Sequence, residues 1–512
     1  MSEQLVNGRD SPTSLARSIL RGILWNHAGK ISEYALMYIF SVLVARGLGA
    51  EQNGVYVTFY TLAQFLLLVS GLGFETALIR WSAQFFRIED MPRLRYVLRR
   101  LFGWRLVAFL VAAFLCYFFR FEILRFLALS QPAAEYFLLL ILYAGLRCLV
   151  PLFMAIFVSR FNTRIVTLIS VSARALEVVA TVYSLSHGYG LEAILLVIIG
   201  GAGYSLAASL IFARRSYWGE VEREDPRPVI TLGATFWVNT IMAFVLEKQG
   251  DIFLLNNLLG DRREVSYYDV AFGLMQVVVY GFTIGFSGVS LAAFSRVAAS
   301  SPDSLGQLWK FSVKVIALLV LPPLIFLAAY AKVIVPAIYS SQYAGSIGLF
   351  QVLVLFQITA RLFGSGTNAD ILLAVNKPKV LVAFGVLAGG LNILLDILLI
   401  PRYRAYGAVI ATGVANTTVV IMSAVYIVRR FSVFISVGFW LKTVAISGVS
   451  ALIGRYLFHP ETIMGIVLSA LIYVAVWISL MYVFKLFSRE DLDYIKKFNF
   501  QLSEWASHFA LT

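Results

Sequence analysis

Apolar runs of about 20 residues recur along the chain from Ile23 to Phe484, separated by short polar breaks. That is the length an α-helix needs to cross the ~30 Å hydrocarbon core of a bilayer, where only helices and closed barrels can satisfy their own backbone. The runs are continuous rather than alternating, so the reading is an all-α polytopic membrane protein. Composition agrees. Of 512 residues, 60% are hydrophobic and 14% charged, against roughly 25% charged in soluble domains.

Breaks at charged or Gly/Pro/Asn-rich positions give about 14 spans between residues 22 and 484, the seventh at 229–256. An even number puts both termini on one side of the membrane. About 27 Lys and Arg residues fall on that side, Arg105 and Lys314 among them, against about 9 on the other. The positive-inside rule then places both termini in the cytoplasm. The net charge of +14 is thus topology, not nucleic-acid binding, because the basic residues sit in short loops and no zinc or RNA-binding motif accompanies them. Cys116 and Cys148 lie in apolar runs, which excludes a disulfide scaffold. No loop is long enough for a catalytic domain, and the HExxH, GxSxG, P-loop and dinucleotide fingerprints are absent. The expectation is a protein that is not an enzyme, with no cofactor and no metal site.

A spacing repeats between the halves: Leu48-Gly49 precedes Tyr56 as Leu259-Gly260 precedes Tyr267. Duplication would give a lobe at 22–228 with helices 1–6 and a lobe at 229–430 with helices 7–12. Helices 13 and 14 would come next at 431–484, with cytoplasmic segments at 1–21 and 485–512. Transporters built this way place their site between the repeats.

Six cations stand inside the spans: Lys30, Arg80, Arg147, Arg174, Lys248 and Arg361. A charge at mid-bilayer costs about 2.5–3.5 kcal/mol even on the lenient insertion scale, so it should face a partner or a cavity. Lys30 with Glu33, and Arg174 with Glu177, are three apart and can pair on one helix face. Lys248 is flanked by Glu247 and Asp251. Arg80 lies near the cytoplasmic end, where its stem can snorkel to the head groups. Arg147 and Arg361 have no acid within helical reach, so each must pair across helices, reach water or meet a ligand. The guanidinium fork suits a phosphate, with bidentate, charge-assisted hydrogen bonds. Seven acids (Glu33, Glu75, Glu177, Glu247, Asp251, Asp370 and Asp396) offset the six cations. An anion site therefore needs local segregation of charge, and Glu33, Glu75, Asp251 and Asp370 could instead bind a coupling proton or sodium ion.

The stretch Ala45-Arg46-Gly47-Leu48-Gly49, then Gly54-Val55-Tyr56 and Gly71-Leu72-Gly73-Phe74-Glu75-Thr76-Ala77-Leu78-Ile79-Arg80, resembles the start of the polysaccharide-biosynthesis branch of the MOP (multidrug/oligosaccharidyl-lipid/polysaccharide) exporters, the Wzx-type flippases. Asp251, Tyr267-Tyr268 with Ala271, Asn376-Lys377-Pro378-Lys379, Ile400-Pro401 and Tyr406-Gly407-Ala408 agree, so the resemblance covers about residues 20–430. It implies a MOP/MATE-like fold of two pseudo-symmetric six-helix lobes plus two C-terminal helices. It also implies a flippase for an undecaprenyl-pyrophosphate-linked oligosaccharide, working by alternating access. Its partners would be that lipid-linked oligosaccharide, the phospholipid bilayer, and polysaccharide polymerase or assembly proteins. The available cations for the head group are Arg147, Arg361, Arg174, Lys30 and Lys248. Two rivals share the fold: a cation or drug antiporter using Glu33, Glu75, Asp251 or Asp370, and a lipid II flippase, which the helix count also fits. A membrane glycosyltransferase or polymerase usually carries a large outer loop, and none is present.

Overall fold

The computed structural model describes residues 12–488 and 491, except 89, 130–133, 161, 285, 459 and 461. Of the expected cytoplasmic segments, residues 1–11, 489–490 and 492–512 therefore lie outside the described residues. Among the described residues the chain forms twenty α-helices and no β-strand. Thirteen helical stretches are long and apolar enough to cross a membrane. The first of these, Ala28–Gly71, is two spans joined across a non-helical Gly49 (φ 74°, ψ 171°), which makes the number about 14.

Contacts divide the chain into two compact units. The first comprises residues 1–48 and 55–241. It holds most of α1 (Pro12–Gly71), then α2 (Phe74–Arg87), α3 (Met91–Phe118), α4 (Arg120–Phe126), α5 (Tyr136–Cys148), α6 (Val150–Ser159), α7 (Thr163–Ser186), α8 (Leu191–Tyr217) and most of α9 (Arg227–Leu246). The second comprises residues 49–54 and 242–512. Its helices are α10 (Lys248–Leu259), α11 (Arg262–Thr283), α12 (Phe286–Ser300), α13 (Leu305–Ala329), α14 (Ala331–Tyr339), α15 (Gly345–Leu362), α16 (Asn368–Ala374), α17 (Pro378–Tyr403), α18 (Ala405–Phe431), α19 (Val437–Leu457) and α20 (Ile463–Val483).

Each unit packs its own core. In the first, Phe74 and Leu78 of α2, Leu98 and Phe102 of α3 and Phe153 of α6 are buried together. In the second, Phe294, Trp309, Ile371 and Ile427 do the same. The outward faces stay apolar: Phe114 is 67% exposed, Val179 67% and Ile211 71%. A water-soluble chain rarely tolerates so much exposed apolar surface, whereas lipid covers it at no cost.

Two glycines of the sequence motifs have clear structural reasons. Gly73 sits at φ +67°, and a Cβ there would run into the Gly233 carbonyl of α9. A Cβ on Gly54 would overlap the Arg262 carbonyl at the start of α11. Both positions need the close backbone approach that only glycine permits.

Several spans are interrupted. The seventh span, expected as one helix over 229–256, is instead broken at Glu247, whose backbone is extended (φ −98°, ψ 177°), into α9 and α10. The fourth, expected over 134–158, turns at Leu149 between α5 and α6 with its backbone still in the helical region (φ −89°, ψ −22°), and the tenth, expected over 345–374, is broken between Leu362 and Asn368 into α15 and α16. Non-helical backbone at membrane depth survives only where protein or a wet cavity satisfies it. These breaks therefore mark the places to look for function.

Candidate functional site

Pro151 has no N–H to give to the carbonyl four residues back, that of Arg147, and the fourth span accordingly ends one helix and starts another. Arg147 is left in the last turn of α5, where the negative end of the helix dipole favours a cation. Its side chain lines a cavity of about 250 Å³ in the first unit, shared with Glu33 of α1, Glu75 of α2, Ser170, Arg174 and Glu177 of α7 and Ser205 of α8.

Two of the three carboxylates on this wall are already committed. Arg174 Nη1 donates to Glu177 Oε2 at 2.6 Å, the pair that the spacing of three predicts. Arg105 Nη1 donates to Glu75 Oε1, also at 2.6 Å. Arg105 is only 2% exposed, so the residue that the sequence counted among the cytoplasmic-side cations is buried within α3. Arg147 and Glu33 make no ion pair or hydrogen bond among the described residues. The cavity thus presents one uncommitted guanidinium, one uncommitted carboxylate, and two ion pairs that an entering charge could exchange with.

The other expected site residues are placed elsewhere. Lys30 is exposed and forms no ion pair with Glu33 among the described residues, because its side chain faces outward while Glu33 faces the cavity. Arg80 is exposed. Lys248 reaches beyond its sequence neighbours. Its Nζ lies 2.6 Å from Asp269 of α11, because Asp251 is turned into the packed interior and Lys248 stays partly exposed. Arg361 is 4% exposed in the last turn of α15. Its Nη1 donates to the Ser365 carbonyl at 2.7 Å and its Nη2 to Gln357 Oε1 at 3.1 Å. It belongs to the second unit and is absent from the cavity wall. Asp370 is buried and accepts from Ser290 Oγ.

The second unit holds a different polar cluster, just past the break at Glu247. Asp251 of α10 accepts from Tyr268 of α11 and Thr412 of α18, and from Asn392 Nδ2 of α17 at 3.0 Å. Asn392 Nδ2 also donates to Asp396 Oδ2 at 3.1 Å. All five residues are at most 2% exposed. Asn392 Oδ1 and Asp396 Oδ1 are buried without a hydrogen-bond partner among the described residues. Two carboxylates this close in dry surroundings repel unless a cation or proton sits with them. The cluster holds two carboxylates and two hydroxyls, oxygen ligands that suit a hard cation such as sodium, with the Asn392 amide N–H bridging the carboxylates.

Of this cluster, the sequence singled out Asp251 as an ion candidate and took Asp396 as one of the intramembrane acids that could pair with Arg147 or Arg361 across the bundle. Asn392, Thr412 and Tyr268 carry no charge at neutral pH, so a census of charges passes over them. The detectable signal was the Asn392/Asp396 pair, four apart on one face of an otherwise apolar helix. Asp269 was missed because it lies close to the end of its span.

A family model described as "Polysaccharide biosynthesis protein" matches residues 43–348. No curated protein sequence matches the chain. Among solved structures, the chain is similar to the lipid II flippase MurJ in an inward closed conformation. The TM-score is 0.72 at 16% identity, covering 90% of this chain and 98% of that one. It is also similar to a multidrug resistance MATE family transporter of the MOP superfamily in an inward-facing conformation, with a TM-score of 0.61 at 14% identity, covering 78% and 94%. A MOP superfamily transporter from Pyrococcus furiosus matches with a TM-score of 0.54 at 12% identity, covering 81% and 96%. At these identities the likeness is one of fold.

Proposed function

The chain belongs to the polysaccharide biosynthesis protein family and has the helical fold of MOP-superfamily transporters, and from there we propose that it is an inner-membrane flippase rather than an enzyme. It moves an undecaprenyl-pyrophosphate-linked oligosaccharide across the membrane by alternating access, with both termini in the cytoplasm.

The observation that carries this reading is Arg147: a guanidinium inside a membrane span, held at the end of a broken helix, facing a cavity, with no partner of its own among the described residues. A pyrophosphate supplies the two oxygens its fork accepts and the charge it lacks. Arg174 is the second contact, reached when the anion competes with Glu177 for it. Glu33 and Ser170 are placed to meet sugar hydroxyls. In the second unit, Asp251 and Asp396 hold a sodium ion or proton whose binding and release drive the cycle, and Asn392 and Thr412 orient the two carboxylates.

A cation or drug antiporter of the same fold is the second reading, favoured by the three carboxylates on the cavity wall. One experiment separates them. Deleting the gene should accumulate lipid-linked oligosaccharide in the cytoplasmic leaflet, and an Arg147→Ala copy should fail to restore export. A deletion that alters only tolerance of cationic drugs would overturn the flippase reading in favour of the antiporter.

A further inference from the structure

Glu177 belongs to two walls. Besides the cavity with Arg147, it lines a groove of about 690 Å³ that runs along the seam of α7 and α8 towards Tyr189. Leu176 and Leu196, each about half exposed, flank this groove, and the small residues Ala180 and Gly200 leave room in it. Glu177 itself is 4% exposed. It fits in the seam because residue 201 is glycine, where a Cβ would overlap its carboxylate. A buried carboxylate tied to Arg174 therefore stands where a charged cavity adjoins an apolar groove open to the membrane.

A lipid-linked substrate has two ends with opposite needs. Its head group requires donors and water, and its chain cannot leave apolar surroundings without cost. Wherever the head group binds, the chain has to pass from that point into hydrocarbon. We propose that the α7–α8 groove holds the head-proximal isoprene units of a polyprenyl chain while the pyrophosphate occupies the cavity at Arg147 and Arg174; this rests on the flippase reading above. The small residues leave space for a methyl-branched chain. The junction is built for coupling, since an anion that draws Arg174 away from Glu177 also loosens the carboxylate between the two hollows. Head-group binding and access to the groove become one event.

The test uses the full chain in nanodiscs and a polyprenyl pyrophosphate carrying a photoreactive diazirine on its second isoprene. The probe should label peptides of α7 and α8 between Leu176 and Gly201, and unlabelled polyprenyl pyrophosphate should compete. A Cβ on Gly200 meets nothing within 4 Å, so a side chain can start there and Gly200→Phe directs a ring into the groove. Excluding two methylene groups' worth of chain should weaken polyprenyl pyrophosphate about tenfold, with affinity for inorganic pyrophosphate unchanged and Gly200→Ala near wild type. Labelling outside α7 and α8, an unchanged affinity in Gly200→Phe, or equal displacement of the probe by phosphatidylglycerol would overturn the groove assignment. A deletion that leaves export of lipid-linked oligosaccharide unchanged and alters only tolerance of cationic drugs would instead remove the flippase reading and this proposal with it.

Discussion

Arg147 and Arg361 occupy the same place in two broken helices. Each is the next-to-last residue of the first half, α5 ending at Cys148 and α15 at Leu362, and each meets the negative end of a helix dipole. The two breaks are built differently. After Arg361 the break is made by glycines, Gly364 at φ +82° and Gly366 at φ +97°. A Cβ at position 366 would lie 3.1 Å from Arg361 Nη1, so the turn folds back closely and the Ser365 carbonyl accepts from the guanidinium at 2.7 Å. After Arg147 the break is made by Pro151, which starts α6 at once and returns no carbonyl. Arg361 gives its two terminal nitrogens to the Ser365 carbonyl and Gln357 while its Nε has no hydrogen-bond partner among the described residues, and Arg147 is left facing a cavity. The residue that breaks the helix decides whether the cation is structural or free for a ligand.

The strongest way to break this contrast is Arg147→Ala. Losing two charge-assisted hydrogen bonds at about 1.5 kcal/mol each should lower polyprenyl pyrophosphate affinity roughly a hundredfold. The melting temperature should not move. An unchanged affinity with a lowered melting temperature would make Arg147 as structural as Arg361. The reverse pattern is expected of Arg361→Ala. It strands the Ser365 carbonyl and opens a void, at a cost of about 2 kcal/mol in thermal unfolding, and the protein that remains folded should bind the head group normally.

A third measurement sharpens the division between the units. Asp396→Asn should abolish the response of transport to sodium and pH and lower its rate about tenfold, the scale of a typical coupling free energy. Pyrophosphate affinity without added cation should stay at the wild-type value. A rate that still follows sodium or pH in this variant would place the coupling ion elsewhere.

The helical membrane fold and its number of spans could be read from the chain, because twenty-residue apolar runs admit few structures. The Arg174–Glu177 pair was legible from a spacing of three. The fate of Lys30, Lys248 and Arg361 was not. Each depends on which way a side chain turns about its helix and on partners distant in sequence, such as Asp269, or on the path of a glycine turn, as with Ser365. The polar cluster around Asp251 was only partly legible for a similar reason. Asp251 draws on residues up to 161 positions away, and most of its neighbours carry no charge.

The smallest effect is expected at a further buried cation, Lys314, which asks whether the second unit's interior charges are structural as a rule. Its Nζ lies 2.6 Å from Asp491 Oδ1, with side chains 9% and 7% exposed, and 5.3 Å from the Phe439 ring centroid. Like Arg105, it is buried where the sequence placed it among the cytoplasmic-side residues. Burial pushes the Asp491 carboxyl up, but the Lys314 ammonium and the Ser488 hydroxyl and N–H outweigh it and hold the group below the usual carboxylate range. A lowered native pKa gives stability that is complete above the unfolded value of about 3.9 and is lost as pH falls through the native one. The melting temperature should therefore be flat from neutral pH to about pH 5 and decline below it. Asp491→Asn should start lower and lose this part of the decline. Pyrophosphate affinity should be the same in both proteins, because the pair stands beside Phe439 in the second unit and the cavity is lined by residues of the first. Matching acid profiles for wild type and Asp491→Asn would show that the pair contributes nothing, and a change in pyrophosphate affinity would make Lys314 more than a structural cation.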